Sequence, residues 1–376
     1  MPQPRTAQKE RKDAMEPMNE QQLQGLLAGV TAPDERARTA AHAHWAACAK
    51  PLGGLGLLES ALEQIAALTG TAEIDLSCRS VLVLCADNGV VAEGVTQTDS
   101  GVTGIVARNL AAGRTSVCRM AAVADCQVVP VDMGILDFQP TSGVLDFRIG
   151  NGTGDIYCGP AMTRKQAVQA IGAGIELVRL QKQAGCGLIA TGEMGIGNTT
   201  TASAMACALL GQEPVLMTGR GAGLSDEGLR RKVAVVETAL RINRPDPEDA
   251  LDVLAKVGGF DIAGMCGIFL GGAIYQIPIL MDGLISTVAA LCAVRLCPAA
   301  EKAIFASHVS AEPAGALVLR ALDKKPLITA EMRLGEGTGA VSAIPLLDMA
   351  CAVYRDSYTF EDGGIEAYTE QGGTPC

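Results

Sequence analysis

Four apolar runs, each closed by a turn of acidic residues and glycines, constrain the fold of this chain most strongly. Residues 80–86 (SVLVLCA) end in Asp87-Asn88-Gly89, and residues 125–132 (DCQVVPVD) end in Met133-Gly134. Residues 187–191 end in Gly192-Glu193-Met194-Gly195, and residues 277–281 end in Asp282-Gly283. Runs that do not alternate with polar residues suit strands covered on both faces. Helical patterns follow them, and strands alternating with helices build a parallel sheet between two helix layers. Residues 303–307 and 327–329 are further strand candidates. The expected fold is α/β, a three-layer α/β/α parallel sheet of Rossmann-like type, with residues 76–340 as the catalytic domain. Ligands of such sheets bind beyond the carboxyl ends of the strands, where this sequence puts its glycines and carboxylates.

Residues 18–27 and 34–50 read as helices, the second opened by Pro33-Asp34-Glu35 with acids in its first turn. They have no strands nearby, so residues 18–75 together with 341–376 are expected to form a small helical domain. Residues 1–17 lack the apolar stretch of a secretory signal and read as a disordered, partly basic tail.

The formal net charge is -11 over 376 residues. No basic field exists to attract a polyanion or an anionic bilayer, which argues against nucleic acid or a membrane surface as partner. Any phosphate must be held locally, by backbone N–H groups and one or two cations. The uncharged stretch 262–281 is about as long as a membrane span. Its glycines, Gln276 and Pro278, bracketed by Asp261 and Asp282, instead indicate a buried helix followed by a short strand over 276–281. The 13 cysteines include no CxxC pair among those in the apolar runs, such as Cys85, Cys207 and Cys266, and read as reduced core residues of a cytoplasmic protein. Three histidines, His42, His44 and His308, are too scattered for a zinc motif, and no metal is expected.

Three glycine-rich stretches can carry chemistry. Residues 192–201 (GEMGIGNTTT) join a strand to an Ala-rich helix over 202–210. There glycines permit close backbone approach, and Asn198 or a threonine can cap a helix start that attracts an anion. The segment lacks the Lys-Ser or Lys-Thr of a Walker loop. Residues 219–226 (GRGAGLSD) open a helix bearing Arg230, Arg231 and Lys232, which reads either as a solvated basic face or as a source of phosphate counter-charge. Residues 335–340 (GEGTGA) set Glu336 between glycines ahead of an apolar helix over 341–353. That placement suits a general base, although an isolated surface glutamate is commonly inert.

In this order the segments resemble the nicotinate-nucleotide:dimethylbenzimidazole phosphoribosyltransferase family. The resemblance rests on ADNGVVAEGV (86–95), VDMGI (131–135), GPAMTRKQA (159–167), GEMGIGNTT (192–200), GLSDEGLRRKVAVVE (223–237), SAEP (310–313) and LGEGTGA (334–340). It implies Glu336 as catalytic base and Glu193 as an assisting acid. Gly195, Gly197, Asn198, Thr199, Lys232, Ser310, Gly335 and Gly337 would form the nucleotide-phosphate pocket. Thr96, Gln97, Asp99, Ser100, Val102, Met194, Asp282 and Leu334 would form the side that takes the acceptor base. It further implies a homodimer, or a heterodimer with a paralogue, and no cofactor. Asp99-Ser100-Gly101 replaces an expected Gln-Glu pair, and Asp155 replaces an Asn, so the acceptor could be a benzimidazole, a purine or a phenol. A nucleotide N-glycosidase and a non-catalytic accessory subunit are the competing readings.

Overall fold

The computed structural model describes residues 17–369, so the expected tail falls outside the described residues apart from Pro17. Six parallel strands form one sheet in the order β3-β2-β1-β4-β5-β6. They are β1 (Arg79–Ala86), β2 (Gln127–Gly134), β3 (Leu145–Asp146), β4 (Leu188–Met194), β5 (Ile279–Met281) and β6 (Ile304–Ala306). In β1 every residue after Arg79 is buried, as an uninterrupted apolar run in the middle of a two-sided sheet requires. The chain reverses its winding between β1 and β4, where Leu84 pairs with Glu193 and Cys85 with Met194. A crevice opens at such a switch point, and here it lies beside the glycine turn that follows β4.

Three strand expectations need correction. Asp125 adopts φ 45, a turn conformation, so β2 starts only at Gln127. Residues 327–329 make no strand, because only Ile328 bridges, to His308. The edge strand β3 was missed, since two residues of pairing leave no periodicity to read. The stretch 262–281 is a buried helix, Phe260–Tyr275, followed by β5. Its glycines let it press against helix Arg164–Gln183: a Cβ on Gly267 would lie 2.0 Å from the carbonyl oxygen of Ile171. No helix among the described residues is long and apolar enough to cross a membrane.

Near the amino terminus, Asn19 caps helix Glu20–Ala28 and Asp34 caps helix Glu35–Ala47. Trp45 meets Tyr354 edge-on, ring centroids 4.9 Å apart, which joins these helices to the carboxyl-terminal helix Thr338–Asp356. That helix also lies against β4 and β5. Among the described residues twelve cysteines are free, Cys85, Cys207 and Cys266 among the buried ones.

Candidate active site

A pocket of about 320 Å³ opens at the carboxyl ends of β4, β5 and β6. Its walls come from segments that are far apart in sequence, carrying Thr96, Glu193, Arg220, Asp282, Ser310 and Glu336 among others.

The loop bearing Glu336 owes its shape to three successive left-handed residues, with φ 86 at Gly335, 59 at Glu336 and 87 at Gly337. Glycine adopts such angles without strain whereas glutamate does not, so the loop must be held by its surroundings. The buried carboxylate of Asp282 accepts from the N–H groups of Gly337 (3.1 Å), Gly339 (2.8 Å) and Ala340 (3.1 Å), closing the amino end of helix Thr338–Asp356. Glu336 N–H donates to the carbonyl of Glu193 (3.2 Å). The two loops fit only because Gly192 has no side chain; a Cβ there would stand 2.6 Å from the carbonyl oxygen of Glu336.

Glu193 is the penultimate residue of β4 and is 8% exposed. Burial, reinforced by Asp261, raises its carboxyl to about 8; Asn198 works in the opposite direction, while Asp282 and Glu336 add to the rise. Asn198 donates to both Glu193 and Asp261, so its side chain is not the helix cap the sequence suggested. Helix Asn198–Leu210 instead starts from Gly197 at φ 94, with no side-chain cap.

Lys232 is wholly buried, whereas Arg230 and Arg231 on the same helix are not. The solvated-face reading therefore holds for the arginines and fails for the lysine. Lys232 Nζ donates to Thr199 Oγ1 (2.8 Å), and burial lowers the ammonium to about 8 against the opposing pull of Glu312. A dry ammonium held on Thr199 of the glycine loop suits the binding of an anion.

Most residues expected at the site do line the pocket: Glu336, Glu193, Gly195, Gly197, Asn198, Thr199, Ser310 and Gly335, and on the other side Thr96, Gln97, Met194, Asp282 and Leu334. Lys232 reaches it through Thr199, and Gly337 sits behind it on Asp282. Asp99, Ser100 and Val102 are not brought to the pocket; Asp99 Oδ1 is engaged by the N–H of Gly101 (2.9 Å) at the start of helix Gly101–Ala111. The sequence reading missed Arg220, Ser286, His308, Glu312 and Arg333. Arg220, Glu312 and Arg333 lie inside or next to motifs already singled out, a signal that could have flagged them. Ser286 and His308 carry none, because only the pairing of β5 with β6 brings the start of helix Leu284–Leu296 beside the segment that follows β6. Glu93, Asp155 and Cys158 place three possible ligand atoms within 4.8 Å of one another, and none of them lines the pocket.

A doubly wound parallel sheet whose switch-point pocket combines a glycine loop, a buried lysine and two carboxyls defines an α/β enzyme suited to a phosphorylated nucleotide. A family model described as phosphoribosyltransferase matches residues 30–365. The chain is 47% identical over 322 residues to the nicotinate-nucleotide–dimethylbenzimidazole phosphoribosyltransferase of Acetivibrio thermocellus, covering 86% of this chain and 92% of that one. It is 41% identical over 337 residues to the enzyme of the same name from Escherichia coli, covering 89% and 94%. The crystal structure of CobT from Thermus thermophilus superposes with a TM-score of 0.84 at 38% identity, covering 88% of this chain and 99% of that one. The chain belongs to the nicotinate-nucleotide–dimethylbenzimidazole phosphoribosyltransferase family and is a pentosyltransferase of cobamide biosynthesis.

Proposed function

We propose that this chain moves the 5-phosphoribosyl group of nicotinate mononucleotide onto a lower-ligand base, 5,6-dimethylbenzimidazole or a related benzimidazole, purine or phenol, releasing nicotinate and an α-ribotide. The observation that carries this reading is the convergence of Glu336, Glu193 and the Lys232–Thr199 pair on one pocket. Lys232, Ser310 and the loop from Gly195 to Thr199 hold the phosphate. An acceptor nitrogen, or the oxygen of a phenol, attacks C1′ of the ribose opposite the pyridinium, whose nitrogen leaves with the bonding pair as neutral nicotinate nitrogen. Glu336 takes the N–H proton of the incoming base, a contribution of ~10²–10⁴-fold. Alignment in a walled pocket supplies much of the rest.

In the same reading Met194 and Leu334 face the acceptor, and Asp282 serves by fixing the Glu336 loop. Among the described residues, 18–75 with 341–369 act as a helical support for the catalytic unit 76–340, two copies form the working dimer, and the enzyme operates in the cytoplasm. Incubating the purified chain with nicotinate mononucleotide and a panel of benzimidazoles, purines and phenols, then weighing the products by mass spectrometry, tests it. Nicotinate released equally with and without acceptor would identify a glycosidase instead.

A further inference from the structure

Beneath the glycine loop, Glu193 and Asp261 share a single partner. Asn198 Nδ2 donates to Glu193 Oε2 and to Asp261 Oδ2, the latter at 3.0 Å. The three side chains are 8%, 0% and 4% exposed for Glu193, Asp261 and Asn198. Asp261 belongs to the first turn of helix Phe260–Tyr275 and does not line the pocket. Its other oxygen, Oδ1, has no hydrogen-bond partner. The close fit depends on Gly195, because a Cβ there would stand 2.9 Å from Asp261 Oδ2 and 3.2 Å from Asn198 Nδ2.

Among the described residues, no lysine, arginine or histidine pairs with either carboxyl. The charged neighbours that act on them are acidic: Asp282 and Glu336 on Glu193, and Asp87 on Asp261. Two carboxylates joined through one amide in a dry interior repel strongly, and the low-energy state retains a proton. We propose that Asp261 is a positioning residue of the transfer site: Asn198 ties it to Glu193, and the two carboxyl groups hold one proton between them. The inference rests on the reading in which Glu193 assists transfer.

Burial first, and Asp261 after it, put Glu193 at about 8; burial also raises Asp261, but hydrogen bonding from Asn198 pulls it back and Asp87 adds only a smaller rise, which leaves it at about 6, so the proton resides on Glu193 at neutral pH. Asn198 occupies Oε2, which leaves the proton for Oε1. That oxygen faces the Glu336 loop, since a Cβ on Gly335 would stand 2.5 Å from it. Glu193 then meets the substrate as a neutral hydrogen-bond donor, and Glu336 is not opposed by a second anion at the point where it must accept a proton.

Infrared difference spectra test this on the full-length enzyme, because the carbonyl stretch of a protonated carboxyl is distinct from that of a carboxylate. The Lys232 ammonium also titrates near 8 and has no such band. In the wild type a protonated-carboxyl band should persist at neutral pH and vanish as pH passes about 8. Glu193→Gln should abolish it, and Asp261→Asn should move its midpoint toward acid by about one pH unit or more. Absence of the band at neutral pH, its survival in Glu193→Gln, or an unmoved midpoint in Asp261→Asn overturns the proposal. Should the asparagine variant not fold, the wild type and Glu193→Gln still decide, since either of the first two outcomes overturns it. If Glu193→Gln loses the band but keeps full transfer, the assisting role of Glu193 falls while the shared proton stands.

Discussion

Val117 donates its backbone N–H to Glu336 Oε2 across 3.3 Å, although the two residues lie 219 positions apart in the chain. Helix Ser116–Val123 has no side-chain cap from Thr115, so the carboxylate of Glu336 supplies one from another part of the molecule. The contact fixes one oxygen of the carboxylate, and among the described residues no hydrogen bond engages the other. A base held by one oxygen and open at the other is oriented for proton transfer.

Glu336→Gln keeps an oxygen for Val117 and removes the proton acceptor. Transfer to a benzimidazole should fall by roughly 10²-fold or more, with the thermal midpoint close to wild type. The loss should shrink for acceptors whose N–H or O–H is already acidic, which a kcat series across acceptors measures. Near-normal turnover of the variant would make Glu336 a loop residue only.

Lys232 links nucleotide binding to pH. Its folded-state value, about 8, lies below that of a free lysine, so the ammonium is present below that pH and is lost as pH rises through it. The KM for nicotinate mononucleotide should therefore rise above about pH 8, and that for nicotinate riboside should not. Lys232→Ala should narrow the preference for the mononucleotide by ~1.5–3 kcal/mol, about 10- to 150-fold in kcat/KM. Parallel pH profiles for the two donors would remove the lysine from the phosphate.

Acceptor choice should follow Met194 and Leu334, which line the pocket, and not Asp99, whose carboxylate caps its own turn. Met194→Ala and Leu334→Ala should reorder a panel of benzimidazoles, purines and phenols by ~1–3 kcal/mol in relative kcat/KM, with Asp99→Ala leaving the order intact. A reordered panel in the Asp99 variant would return that segment to the base-binding side.

Gly267→Ala tests the helix contact beneath the sheet. The added methyl would meet the Ile171 carbonyl at 2.0 Å, and backbone cannot swing aside as a flexible side chain does. Overpacking of this kind costs about 1–3 kcal/mol, which a lowered midpoint in urea unfolding would register. An unchanged midpoint would show that the two helices separate freely.

The central strands were legible because covered strands must be apolar throughout, and β1 with SVLVLCA carries that signal in consecutive residues. The glycine loops were legible for the opposite reason, since GEMGIGNTT and LGEGTG spend side chains on backbone freedom. β3 and the single bridge at Ile328 were not, because pairing of one or two residues depends on the neighbouring strand. Lys232 was ambiguous in sequence: its helix shows three consecutive cations, and only packing buries the third.

Sequence alone determined the alternation of strand and helix and the family to which the chain belongs, since local chemistry and motif order are written in consecutive residues. Tertiary structure decided which distant groups meet. Asp282 grips the Glu336 loop, Val117 orients its carboxylate, and Asn198 joins Glu193 to Asp261, each across at least one crossover of the sheet or a turn of backbone. Those contacts depend on the order in which parallel strands pair and on glycines that let loops approach to within a few ångströms, and neither is expressed in local sequence. The raised carboxyl of Glu193 and the lowered ammonium of Lys232 follow from the same cause, because removal from water is a property of the packed molecule.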